Sequence, residues 1–161
     1  MPLSSEQGQW VTGFREWLES AADHQLRLAD RIRIDREDRS TLAARWCIAD
    51  RTWSEVVIRP FLPQVSVAIV TDDRQKNSTF KQMIEDSGDT LQEFVELSFD
   101  AVGLKWPEPP VQHYRDRDDL FYFATPLDLK SLGQLSQPAT RRQVFQMLTG
   151  YCRAFAGFVA G

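Results

Sequence analysis

Residues 41–71 read TLAARWCIADRTWSEVVIRPFLPQVSVAIVT, and this stretch decides the fold class. Between Thr41 and Ala49, Leu42, Ala44, Trp46 and Ile48 recur at every second position, the period of a strand with one buried face. From Trp53 to Phe61, Trp53, Val57 and Phe61 fall on one side and Val56 and Ile58 on the other. Only Asp50-Arg51 separates the two runs, which predicts a tight hairpin and hence antiparallel strands. Val65 to Thr71 is a third strand. Pro60 and Pro63 bracket the link before it, and proline cannot donate to a ladder, so the central ladder is expected to stop near Arg59.

Upstream, Trp10, Phe14, Trp17, Leu18 and Ala21 line one face of a helix. Ser4 or Ser5 can cap it, with Glu6 in its first turn. Residues 26–34 suit either a strand or extra helical turns. The β-branched Ile32 and Ile34, flanked by charge, favour a strand from about Arg31, followed by an exposed turn over Asp35-Arg36-Glu37-Asp38-Arg39.

Downstream the period changes. Asp72-Asp73-Arg74 reads as a turn, and Phe80, Met83 and Ile84 as a short helix starting after Asn77 or Ser78. After Gly88-Asp89, the stripe Leu91, Phe94, Val95, Ser98, Phe99 and Val102 gives the clearest helix, with Gly103 at its end. Pro107, Pro109 and Pro110 make a rigid loop. A second hairpin pairs Val111–Tyr114 with Leu120–Thr125 across a charged turn, and Pro126 should end the second strand or mark it as an edge. Val144, Met147, Leu148, Tyr151, Cys152, Phe155 and Val159 supply the apolar face of a closing helix. These elements predict an α+β fold in one domain over residues 1–161. Its antiparallel sheet has five or six strands, with helices at both termini and in the middle, in the order α-βββ(β)-α-ββ-α.

A chain of 161 residues buries about 70% of its unfolded surface, so it needs no metal or disulfide to fold. Its net charge of −4 argues against a nucleic-acid partner, which requires a basic face. No apolar run approaches the roughly 20 residues of a membrane span, and Met1–Gln9 lacks a signal-peptide pattern; a cytoplasmic protein is expected. Cys47 and Cys152 read as small core residues.

The chain contains no phosphate-binding glycine loop, no nucleophile elbow and no paired metal-ligand motif, so neither a cofactor nor a metal is expected. His24 sits where it can meet the C-terminus of the first helix. His113 is the one candidate general base, with Tyr114 and Asp116 beside it. The plainer account makes it a sheet-edge residue next to a mixed-charge turn, Arg115-Asp116-Arg117-Asp118-Asp119. Aromatic density on strands points elsewhere. Trp46, Trp53, Phe121 and Phe123 are the candidate partner-binding residues, since an apolar patch left open on a sheet marks an interaction surface and can take an extended peptide.

The opening helix Trp10–Ala21, the meander Thr41–Thr71, the middle helix Thr90–Val102, the hairpin Val111–Thr125 and the closing helix resemble, in their order, the type III secretion chaperone-like fold, which includes class I secretion chaperones and YbjN-like proteins. That resemblance implies a homodimer without enzymatic activity that binds an unfolded segment of a partner protein. The leading expectation is therefore a non-enzymatic, chaperone-like binding module. The alternatives are an enzyme or small-molecule binder with a cleft near His113, and a structural or regulatory subunit of a larger complex.

Overall fold

The computed structural model describes the backbone over residues 2–159 and the side chains over residues 2–155. Among these residues the element order is α1 (Ser5–His24), β1 (Ala29–Asp35), β2 (Leu42–Ala49), β3 (Thr52–Arg59), β4 (Gln64–Thr71), α2 (Arg74–Asp86), α3 (Leu91–Ala101), β5 (Gln112–Arg115), β6 (Phe121–Asp128) and α4 (Pro138–Val159), with a 3-10 turn at Leu132–Ser136. The six strands form one antiparallel sheet in the order β1-β2-β3-β4-β6-β5. The expected α+β class and the placement of helices at both ends and in the middle both hold, and the segment at 29–35 is the sixth strand.

Local chemistry sets the boundaries. Ser4 and Gln7 form a reciprocal capping box at the start of α1, with bonds of 3.0 and 3.1 Å. The middle of the chain departs from expectation. Asp73 is an N-cap rather than a turn residue; its carboxylate accepts from the Gln75 and Lys76 amides, so α2 begins at Arg74, before Asn77. Pro126 does not end β6. Strand β5 covers only Phe121–Ala124 of its neighbour, so β6 is itself the sheet edge at Pro126, where no ladder donor is required.

Register separates two faces. Leu42, Ala44 and Trp46 align with Ile58, Val56 and Ser54, these with Val65, Val67 and Ile69, and these with Leu127, Thr125 and Phe123. All four helices pack on this side, and their buried residues, Phe14 and Leu18 of α1, Phe80 of α2, Phe99 of α3 and Tyr151 and Phe155 of α4, join the strand residues in one core. Val159, expected on the apolar face of α4, lies outside the residues whose side chains are described. Deep in this core the Tyr151 hydroxyl shares a 2.6 Å hydrogen bond with Thr125 Oγ1. Gly150 lets α3 and α4 close together, because a Cβ there would lie 2.6 Å from Phe99 Cδ1. The opposite face holds a small cluster of Ala68, Val70, Tyr122 and Ala124 built from strand residues alone, with Leu120 beside it.

Candidate functional site: the sheet face without helices

Three in-register rows cross this face. Cys47, Trp53, Val70, Tyr122 and Tyr114 make one; Ile32, Arg45, Glu55, Ala68, Ala124 and Gln112 the next; Ile34, Ala43, Val57, Ser66 and Pro126 the third. Small residues on β4 shape what happens above them. Ala68 leaves the space over β4 empty, so the long Arg45 side chain from β2 and the Tyr122 ring from β6 meet across it, although three strand spacings of about 4.8 Å separate their backbones. Arg45 Nη2 donates to the Tyr122 hydroxyl at 3.0 Å, and Arg45 Nε donates to Glu55 Oε2 in a short, charge-assisted bond. No further bond reaches Glu55 Oε1 among the described residues. Tyr114 stacks on Tyr122 with ring centroids 4.9 Å apart and planes 6° from parallel.

These groups line a cavity of about 330 Å³, a volume at the low end for ligand sites. Its floor is Ala43, Val57, Arg45 and Glu55; Ile34, Arg36 and Thr41 stand on one rim, and Asp116, Asp118 and Tyr114 on the other. Glu55 is 2% exposed, and burial raises its pKa against the opposing pull of Arg45. Burial also pushes up both phenols, Tyr114 and Tyr122, which stay protonated across the neutral range.

The structure distributes the expected contact residues unevenly. Trp46 is fully buried on the helix side, its Nε1 donating to Asp23 at 2.9 Å. Phe123 is buried there too, against Phe80 and Phe155. Neither can touch a partner without the core opening, which corrects their assignment. Phe121 shares their side of the sheet and is half-buried. Only Trp53, half-buried, belongs to the face without helices. Burial of alternate strand positions was legible; which face the helices choose was not.

His113 and Tyr114 are neighbours in one strand and therefore point to opposite faces. His113 stacks on Phe123 at 4.1 Å, and its Nε2 lies 2.8 Å from Asn77 Oδ1. Burial and the nearby Lys81 lower its pKa. Asp116 does not orient it: its Oδ1 accepts from the Asp118 and Leu120 amides and shapes the hairpin turn. His113 is therefore separated from Tyr114 and Asp116, which line the cavity on the other face. The residues that sequence reasoning missed are Arg45, Glu55, Arg59 and Tyr122. Arg45 and Glu55 face each other only because the register shifts between Cys47 and Ala49; a regular hairpin turning at Asp50-Arg51 would set Arg45 against Val56, so the sequence carried no direct signal for the pair.

Elsewhere, Cys152 has its thiol pushed up to about 11 by burial, the state of an unreactive cysteine. Among the described residues no three His, Cys, Asp or Glu side chains converge as metal ligands, and no helix is long and apolar enough to cross a membrane. No family model matches the chain, and neither a curated protein nor a solved structure matches it.

Proposed function

We propose that this protein is a non-enzymatic, chaperone-like binding module that holds an extended segment of a partner protein over the sheet face its helices leave uncovered. The observation that carries the reading is the cavity on that face, floored by the Arg45–Glu55 pair and walled by the Tyr114–Tyr122 stack. Its polar groups are mostly committed to one another. Arg45 neutralises Glu55, and the phenols are held protonated, so the lining offers hydrogen bonds and flat apolar surface rather than a nucleophile. The lining charges also balance, with Arg36, Arg45 and Arg59 against Glu55, Asp116 and Asp118. That balance suits a largely uncharged chain whose amides can donate to Glu55 Oε1.

A selection from random linear peptides tests this. Enriched peptides should bind the wild-type protein and lose roughly tenfold or more on Tyr114→Ala, as for loss of a central aromatic contact, while Trp17→Ala on the helix side leaves binding unchanged. A small-molecule site is the second reading, favoured by the raised pKa of Glu55. If no peptide is enriched and a small-molecule thermal-shift screen gives hits lost on Glu55→Gln, the second reading replaces the first.

A further inference from the structure

We propose that β1 is the docking edge for a second copy of this chain, the two β1 strands pairing antiparallel about a two-fold axis at Arg33. Every residue of β1 is exposed, and the strand lies at the end of the sheet. The Arg36 amide donates to Thr41 O at 2.9 Å. By strand alternation Ile34 and Ile32 also bond toward β2, so Arg31, Arg33 and Asp35 turn their N–H and C=O groups outward. That outward row is a template for another strand unless something blocks it.

The usual block is charge, and here the charges are held elsewhere. Arg33 donates to both oxygens of Glu19 on α1 at 2.8 and 2.7 Å. Arg31 reaches Glu19 and Asp23, both at 3.1 Å, and Asp35 accepts two bonds of 2.9 Å from Arg15. These contacts draw each charged side chain onto the helix side and neutralise it. A bulge between Ala29 and Ile32, with Asp30 at φ 56°, takes the start of the strand out of line. The part from Ile32 to Asp35 remains in regular register with β2, and Arg31 keeps the helix-side direction that its bonds to Glu19 and Asp23 show.

The sequence of that part names the occupant. Residues 30–36 read DRIRIDR, which is complementary to its own reverse. With Arg33 opposite Arg33, Arg31 faces Asp35 and Ile32 faces Ile34, each contact made twice. The one like-charged pair is the central arginines, each already bound by Glu19. On the other face Ile32 and Ile34, 50% and 42% exposed, would cover each other. A partner of different sequence would have to supply this complement; a second copy carries it. The paired sheets would be continuous, and Ile34, which lines the cavity, would bring the two cavities to either side of the axis. This inference does not depend on what the cavity holds.

Sedimentation equilibrium of the full chain from micromolar to millimolar concentration is the test. The wild-type protein should associate reversibly to a dimer. Ile32→Lys should weaken the dimer roughly tenfold, as expected for two lost cross-strand apolar pairs, without changing the thermal midpoint of the dissociated chain. Adding Ile34→Glu to it should restore the dimer, because Lys at position 32 then faces Glu at position 34 twice. A monomer at every concentration, a dimer indifferent to Ile32→Lys, or a double variant that stays weak would each overturn the proposal.

Discussion

The same strands build two surfaces by different means. Toward the helices, β2, β3, β4 and β6 present Leu42, Trp46, Val56, Ile69 and Phe123, and the contact is apolar and filled by volume. On the other side they present Arg45, Glu55 and Tyr122 over Ala68 and Ala124, and burial is achieved by pairing. Period-two alternation is common to both. The two faces separate because hydrophobic packing is non-directional, whereas a buried ion pair requires particular partners.

This difference can be broken most severely on the helix side. Trp46→Ala removes a fully buried indole and leaves Asp23 Oδ1 without its donor, and should lower unfolding free energy by about 4 kcal/mol in urea titrations. On the other side, Glu55→Ala strands a mostly buried guanidinium and should cost about 3 kcal/mol. Replacing both, Arg45→Met with Glu55→Leu, should return stability to near wild type by the same measurement, an outcome a volume-built surface could not give. Gly150→Ala overfills the α3–α4 contact at Phe99 and should cost about 2 kcal/mol.

The smallest effect sharpens the contrast through pH. The Arg15 guanidinium holds Asp35 below its ordinary 3.8, so its contribution is present above that value and lost as pH falls below it. Burial holds Glu55 above its ordinary 4.5. The folded state therefore keeps a proton that the unfolded chain has released, and stability falls as pH rises from 4.5 toward that raised value. Denaturation across the acid range should show Asp35→Asn flattening the first slope and Glu55→Gln the second.

Much of this architecture was legible in the sequence because it rests on periodicity. Leu42, Ala44 and Trp46, or Leu91, Val95 and Phe99, declare their element within a few residues. The site was less legible. Arg45 and Tyr122 lie far apart in the chain and meet only because β4 is small at Ala68, a fact of pairing order that no local pattern carries. Trp46 and Phe123 misled for a related reason: aromatic strand residues read as contact surface until the helices are known to cover them. Asp73 looked like a turn because capping and turning use the same side chain.

The Tyr151–Thr125 hydrogen bond has a consequence for how α4 sits. Greasy surfaces tolerate many rotational phases of one helix against another layer. A hydroxyl sealed in that layer tolerates one, since any other angle leaves two oxygens dry and unpaired. That bond acts as a key in its slot: it adds little grip, but it selects a single angular setting of α4, and with it the positions at which Gly150 meets Phe99 and Phe155 meets Phe123.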